Sequence, residues 1–352
     1  MKSPNIVFVF ADQWRAQATG YNGNPVVKTP YLDALTEESI NFTHAVSGCP
    51  VCSPYRASLL TGQYPLTHGV FVNDVCLSHN AVSLADAYNN AGYDTAYIGK
   101  WHLDGHGRSN YIPTERRQGF DYWKVVECTH DYNHSPYYAD DSEEKLHWEG
   151  YDAFAQTCDA RQYIRNHDGE SPFLLVLSLG PPHYPYETAP DKYKELYDPE
   201  GISLRPNVPA ENTDAARKDI AGYYAHCSAL DACLGELLQT LKEKGIADNT
   251  IFVFTSDHGD MLYSQGEKCK QRPWDESIRV PFLLRYPAMF GYGKSEVNAQ
   301  INAPDIMPTL MGLSGIPIPE SVEGIDFFNY LNGGDDPSNG ETLIMCPHPF
   351  AE

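Results

Sequence analysis

The sequence predicts an α/β fold, a mostly parallel central sheet sandwiched by helices, and two observations carry that prediction. Uniformly apolar runs recur at residues 6–11, 95–99, 173–179 and 251–255. Each has strand length and no polar face, the pattern of a strand covered on both sides by helices. Between them lie helical patterns with readable ends, and alternation of this kind builds parallel sheets. Thr29 and Pro30 open the first, TPYLDALTEESI, as N-cap and first helical residue. Ser83 opens SLADAYNNAG, which Gly92 should close. A long helix is expected over much of 214–244, stopped by Gly245.

Composition narrows the function. A formal charge of −22 repels nucleic acid at long range, so an anionic substrate needs a local pocket of positive charge. Nine cysteines scattered over 352 residues do not read as a disulfide framework, and most are expected to be buried thiols. No apolar run reaches membrane-spanning length, so no membrane partner is expected. The N-terminus reads as a first core strand rather than a signal peptide, which makes the chain cytoplasmic as written, and periplasmic or secreted if an export signal has been trimmed.

In open parallel sheets, ligands bind beyond the carboxyl ends of the strands. The four runs are followed there by Asp12 and Gln13, by Lys100 and His102, by His183, and by Asp257 and His258. Any one of these would be read as a loop residue or a helix cap. Four strands delivering such groups to one edge read as a site.

The stretch GCPVCSPYRASLLTG adds a nucleophile. Ser53 is a candidate N-cap, Pro54 a first helical residue and Gly62 a C-terminal stop, so Cys52 falls at a helix N-terminus, where anions are favoured. Arg56 adds a fixed positive fork. Cys49 and Cys52 also form a C-x-x-C pair, which suits a redox dithiol or half a zinc site. No second C-x-x-C completes a zinc set, and a dithiol needs neither Arg56 nor the carboxylates; an anion-handling nucleophile at position 52 ranks first.

These residues resemble the sulfatase signature C-x-P-x-R followed by L-T-G. The resemblance extends through ADQWR, NPVVKTPYLDAL, GKWHLDG, GPPHYP, TSDHGDML, DESIRVPFLLRYP and APDIMPTLMGLSG. It implies the alkaline-phosphatase-like fold and hydrolysis of sulfate esters. Cys52 would be the precursor of a formylglycine nucleophile, produced by a formylglycine-generating maturation enzyme. Asp12, Gln13, Asp257 and His258 match metal positions; Arg56, Lys100, His102, His183 and Lys270 match sulfate-binding and proton-transfer positions. The family's spacing to an aromatic-acidic pair, here Trp274 and Asp275, implies Lys270 over Lys268, which stays as the fallback. Glu276 and Arg279 are read as an ion pair bracing their loop. Oxygen donors make Ca²⁺ the expected metal, with Mn²⁺ or Mg²⁺ as alternatives.

A catalytic domain over 1–332 is expected. Residues 333–352 read as a linker and the start of a C-terminal antiparallel subdomain that is cut short. The segment 128–152 is dense in Tyr, His and Trp, which suits either a sugar ring or the packing of an insertion. Arg108, Arg116 and Arg117 are candidates for reading a second anionic group, though surface roles also fit them. The expected substrate is a sulfated small molecule or glycan, with a carbohydrate sulfate favoured. Gln13 stands where many members of the family have an aspartate, and the Asp-Gln with Asp-His combination also resembles the phosphonate monoester and phosphodiester hydrolase branch, a first alternative; the expectation of a cut-short C-terminal subdomain leaves an inactive glycan-binding relic as a second.

Overall fold

The computed structural model describes residues 2–346. The last six residues of the expected 333–352 segment lie outside them. Ten strands form one sheet: β1 (Asn5–Asp12), β2 (Ile40–Phe42), β3 (Asp94–Lys100), β4 (Tyr122–Val126), β5 (Pro136–Ala139), β6 (Leu146–His147), β7 (Phe173–Pro182), β8 (Thr250–Ser256), β9 (Leu283–Arg285) and β10 (Ser295–Val297). Their order is β10-β2-β9-β8-β1-β7-β3-β4-β5-β6. The central strands from β8 to β4 are parallel, whereas β9 and β5 flank them antiparallel. The predicted class holds, and the antiparallel pairs sit only toward the edges.

The sheet is buried on both faces because alternate side chains of a strand point to opposite sides. Val7, Val9 and Ala11 of β1 pack in one core with the helices Asp152–Asn166 and Thr213–Lys244. Ile6, Phe8 and Phe10 pack in the other, with the helices Cys52–Thr61, Leu84–Asn90 and Ala303–Ser314. This double burial is why the strand runs read as continuously apolar. Among the described residues no helix is long and apolar enough to cross a membrane.

Two helix ends match the sequence closely. Ser83 makes a capping box with Asp86, and Gly245 takes the left-handed conformation after Lys244. The helix that carries Cys52 differs by one residue. It begins at Cys52 with Val51 at the N-cap position, so Ser53 is not the cap. The Ser53 hydroxyl is spent on the carbonyl of His102 at 2.7 Å, and the Asn73 side chain accepts from the Ser53 N–H at 3.1 Å instead. Gly62 ends the helix in the left-handed region, as expected.

Candidate active site

Strand ends aim the key side chains. The β1–β7 register shifts between Ala11 and Asp12, and such a bulge redirects the residue that follows it. Gln13 and His102, with φ of 73° and 59°, then adopt a left-handed backbone that is costly for residues other than glycine. Gly99 permits a close approach beside Lys100: a Cβ there would lie 2.1 Å from the Ser178 carbonyl oxygen.

The structure brings all ten predicted residues into one buried group, none more than 5% exposed. The Cys52 sulfur lies 3.3 Å from His258 Nε2, 3.6 Å from Asp12 Oδ1 and 3.8 Å from Lys100 Nζ. Arg56 donates to Asp12 Oδ2 at 3.1 Å and Asp257 Oδ2 at 3.2 Å, and its other nitrogen is held by the Lys100 carbonyl and the Ser178 hydroxyl, each at 2.7 Å. Lys100 donates to Asp12 Oδ2 at 2.6 Å. Lys270 donates to His183 Nε2 at 2.9 Å and to the Gln13 amide oxygen at 3.3 Å. Lys268 instead stays at the surface, over the Tyr263 ring and near Asp219. His102 pairs through Nε2 with Asp74 at 3.1 Å.

These neighbours pull the titrations apart. Burial opposes ionisation of Asp12, yet Lys100, His183, His258 and Arg56 together hold it well below the usual carboxylate range. Burial and the Asp12 charge push Asp257 up to about 6. Burial disfavours the Cys52 thiolate, but Lys100, Lys270 and His258 outweigh it and lower the thiol well below its ordinary value. Burial and Lys270 lower His183 strongly, whereas Cys52 and Asp12 outweigh the cost of burying Lys270 and raise it. Within that pair Lys270 therefore carries the proton. His102, despite burial, is raised to about 10 by Cys128 and Asp74.

The donor set fits a divalent cation. Asp12, Cys52, Asp257 and His258 offer ligand atoms within 4.8 Å of one another, all buried. The Oδ2 atoms of the two aspartates face Arg56, while their Oδ1 atoms each lie 3.5 Å from His258 Nε2. His258 Nδ1 lies 3.0 Å from the Gly259 carbonyl, the contact that leaves Nε2 as the ligating nitrogen. The side-chain amide of Gln13 is anchored by Asp260 at 2.6 Å, and its backbone N–H donates to Asp257.

Several supporting residues carried no usable signal in the sequence. Ser178 sits inside an apolar run, Asp74 in an exposed loop, and His130 stacks on His183 with ring centroids 4.5 Å apart. Asp260 was visible in TSDHGD but unread. Glu276 and Arg279 do not pair with each other: Glu276 binds Arg205 and Asn207, and Arg279 faces Asp275 and the Thr43 carbonyl. The three arginines considered for a second anionic group are all engaged, Arg108 with Asp74, Arg116 with Asp104, and Arg117 with Asp141 and the Ile112 carbonyl. In the 128–152 insertion, Trp148 is buried, stacks on Tyr137 at 4.4 Å and donates to Asp159.

A parallel sheet that gathers a cysteine at a helix start and paired carboxylates at its strand ends has the architecture of the alkaline-phosphatase-like hydrolases. The sulfatase family profile matches residues 4–316, and the chain belongs to that family. An ulvan-active sulfatase of Formosa agariphila is 50% identical over 351 residues, spanning 99% of this chain and 69% of its own. An endo-4-O-sulfatase of Bacteroides thetaiotaomicron is 33% identical over 92% of this chain and 72% of its own. The crystal structure of yidJ from Bacteroides fragilis superposes with a TM-score of 0.89 at 36% identity, covering 95% of this chain and 79% of that one.

Proposed function

We propose that this hydrolase removes sulfate from a carbohydrate sulfate, using a formylglycine made from Cys52 by a maturation enzyme. The observation that carries the reading is the placement of Cys52 at a helix start between the acidic pair and the cations Lys100 and Lys270. The relatives' names, ulvan-active sulfatase and endo-4-O-sulfatase, support the substrate class. So does a cavity of about 360 Å³ lined in part by Tyr184, which follows His183 in sequence, by Tyr186, which contacts Gln13 and Asp260, and by Tyr263 and Lys268. Amphipathic aromatic walls of this kind suit a sugar ring.

Asp12, Asp257 and His258, with Gln13 beside them, would hold the divalent ion, for which Ca²⁺ is our assignment. Its chemistry would be to polarise the sulfate and lower the pKa of the attacking hydroxyl. Asp257 takes the proton of one hydroxyl of the hydrated aldehyde at position 52. That oxygen bonds to sulfur while the bond from sulfur to the sugar oxygen breaks. Lys270, steadied by His183, protonates the departing alcohol. His102 then removes the proton from the second hydroxyl, so that the carbon–oxygen bond to sulfate breaks and the aldehyde returns. Cys128 and Asp74 are the main groups that raise the His102 pKa, so conversion of Cys52 to an uncharged aldehyde relieves that rise only in part. Arg56 and Lys100 fix the acidic pair and balance the sulfate charge.

Release of inorganic sulfate from a panel of sulfated mono- and disaccharides, with loss in Cys52→Ala, tests this reading. Turnover confined to phosphodiesters or phosphonates would assign the other chemistry. Glycan binding without turnover by protein carrying the aldehyde would contradict both.

A further inference from the structure

Beyond the Cys52 cluster, a second group of metal-capable side chains joins the loop that follows β3 to the segment bearing Cys76, which precedes that strand. The Cys76 sulfur, one carboxylate oxygen of Asp104 and a ring nitrogen of His106 lie within 4.8 Å of one another. The arrangement is built by the backbone. Leu77 N–H donates to the Leu103 carbonyl at 2.9 Å, which clamps the two segments together. Gly105 lies against residues 74–76 with φ of 66°, and a Cβ there would be 2.6 Å from the Cys76 nitrogen. Any other residue at 105 would push Cys76 away from the pair. His106 Nδ1 is 2.5 Å from the Asp104 carbonyl and 3.4 Å from Asp104 Oδ2, so the ring is held over that aspartate.

Glu127 fixes the backbone of the same loop. It is only 2% exposed, and its Oε1 accepts from the backbone of Asp104 at 2.9 Å and Gly105 at 3.0 Å. Its Oε2 is buried with no hydrogen-bond partner among the described residues. An unpaired carboxylate oxygen behind the loop is costly without a positive charge to face. His102 is the cation that acts on the Glu127 carboxylate, whereas Arg116 binds Asp104, at 2.5 Å to Oδ1 and 3.3 Å to Oδ2. The Cys76 thiol donates to the Leu77 carbonyl at 3.3 Å.

We propose that Cys76, Asp104 and His106 bind a Zn²⁺ ion that ties the segment bearing Asp74 to the loop bearing His102. A mixed sulfur, nitrogen and oxygen set with room for a water suits zinc, whereas Ca²⁺ and Mg²⁺ prefer oxygen alone. Tetrahedral zinc places its ligand atoms about 3.5 Å apart, so the exposed Cys76 and His106 side chains would move inward by roughly 1 Å. The Cys76 thiol proton leaves to solvent on binding.

The test uses full-length Cys52→Ala protein, so that the first cluster contributes no thiolate, dialysed against chelator and titrated with Co²⁺. A saturable thiolate-to-cobalt charge-transfer band is expected that Zn²⁺ displaces. It should vanish in Cys52→Ala/Cys76→Ala, and Zn²⁺ should bind about tenfold more weakly or worse when His106→Ala is added instead. Both side chains are exposed, and an unchanged thermal unfolding profile confirms that each variant is folded. No band in the Cys52→Ala protein, or a band that persists after Cys76→Ala, overturns the proposal.

Discussion

The carboxyl edge of β1, β3, β7 and β8 and the insertion over 128–152 are equally rich in His, Asp and aromatic residues, yet they use them in opposite ways. At the strand edge, groups distant in sequence converge: Asp12, Cys52, Lys100, Asp257 and His258 share one buried cluster. In the insertion the same residue types mostly satisfy each other, as in Trp148 against Tyr137 and Asp159, or the His134 and His147 rings stacked at 4.2 Å. Chemistry follows from topology here, because only the parallel strands carry remote residues to one point.

That contrast can be broken or sharpened by substitution. The largest effect is expected for Cys52→Ala, which removes the proposed nucleophile and should lower kcat for sulfate release by about 10⁴-fold or more. Replacing Lys270 by Ala should cost about 10²- to 10⁴-fold in kcat for an alkyl sulfate, and much less for an aryl sulfate whose leaving group needs no proton. Equal losses on both esters would argue that Lys270 binds sulfate rather than donating a proton. Trp148→Ala should destabilise the fold by about 3–5 kcal/mol in denaturant titration while leaving kcat of the folded fraction unchanged. A selective fall in kcat/KM at unchanged stability would place Trp148 against substrate.

A smaller effect is expected from His226, buried between the Tyr151 hydroxyl at 2.6 Å and the Pro185 carbonyl at 3.3 Å. Burial lowers its pKa from 6.5 to about 4. A depressed folded-state pKa means that the neutral ring's contribution is present above about pH 6.5 and is lost as pH falls toward 4, about 3 kcal/mol in all. His226→Gln should therefore flatten the fall in unfolding free energy between pH 6.5 and 4.5. An unchanged slope would show that the ring is protonated without cost.

Much of this was legible in the sequence for a specific reason. The apolar runs marked strands buried on both faces, and topology then dictated where Asp12, Lys100, His183 and Asp257 must lie. The spacing of Lys270 picked the lysine that reaches His183. What stayed hidden depends on contacts with no local pattern. Ser53 looks like a cap but serves the His102 carbonyl, and Glu276 and Arg279 look like partners but bind elsewhere. Asp74 meets His102 across 28 positions of sequence, from a loop with no periodicity to betray it.

The most direct test of the central claim is the mass of the Cys52 peptide from protein purified from its native host, measured on the same sample as sulfate release from sulfated saccharides. The account predicts an aldehyde at position 52 together with free sulfate. An aldehyde that releases no sulfate, or sulfate release by protein retaining an intact Cys52 thiol throughout, would contradict it.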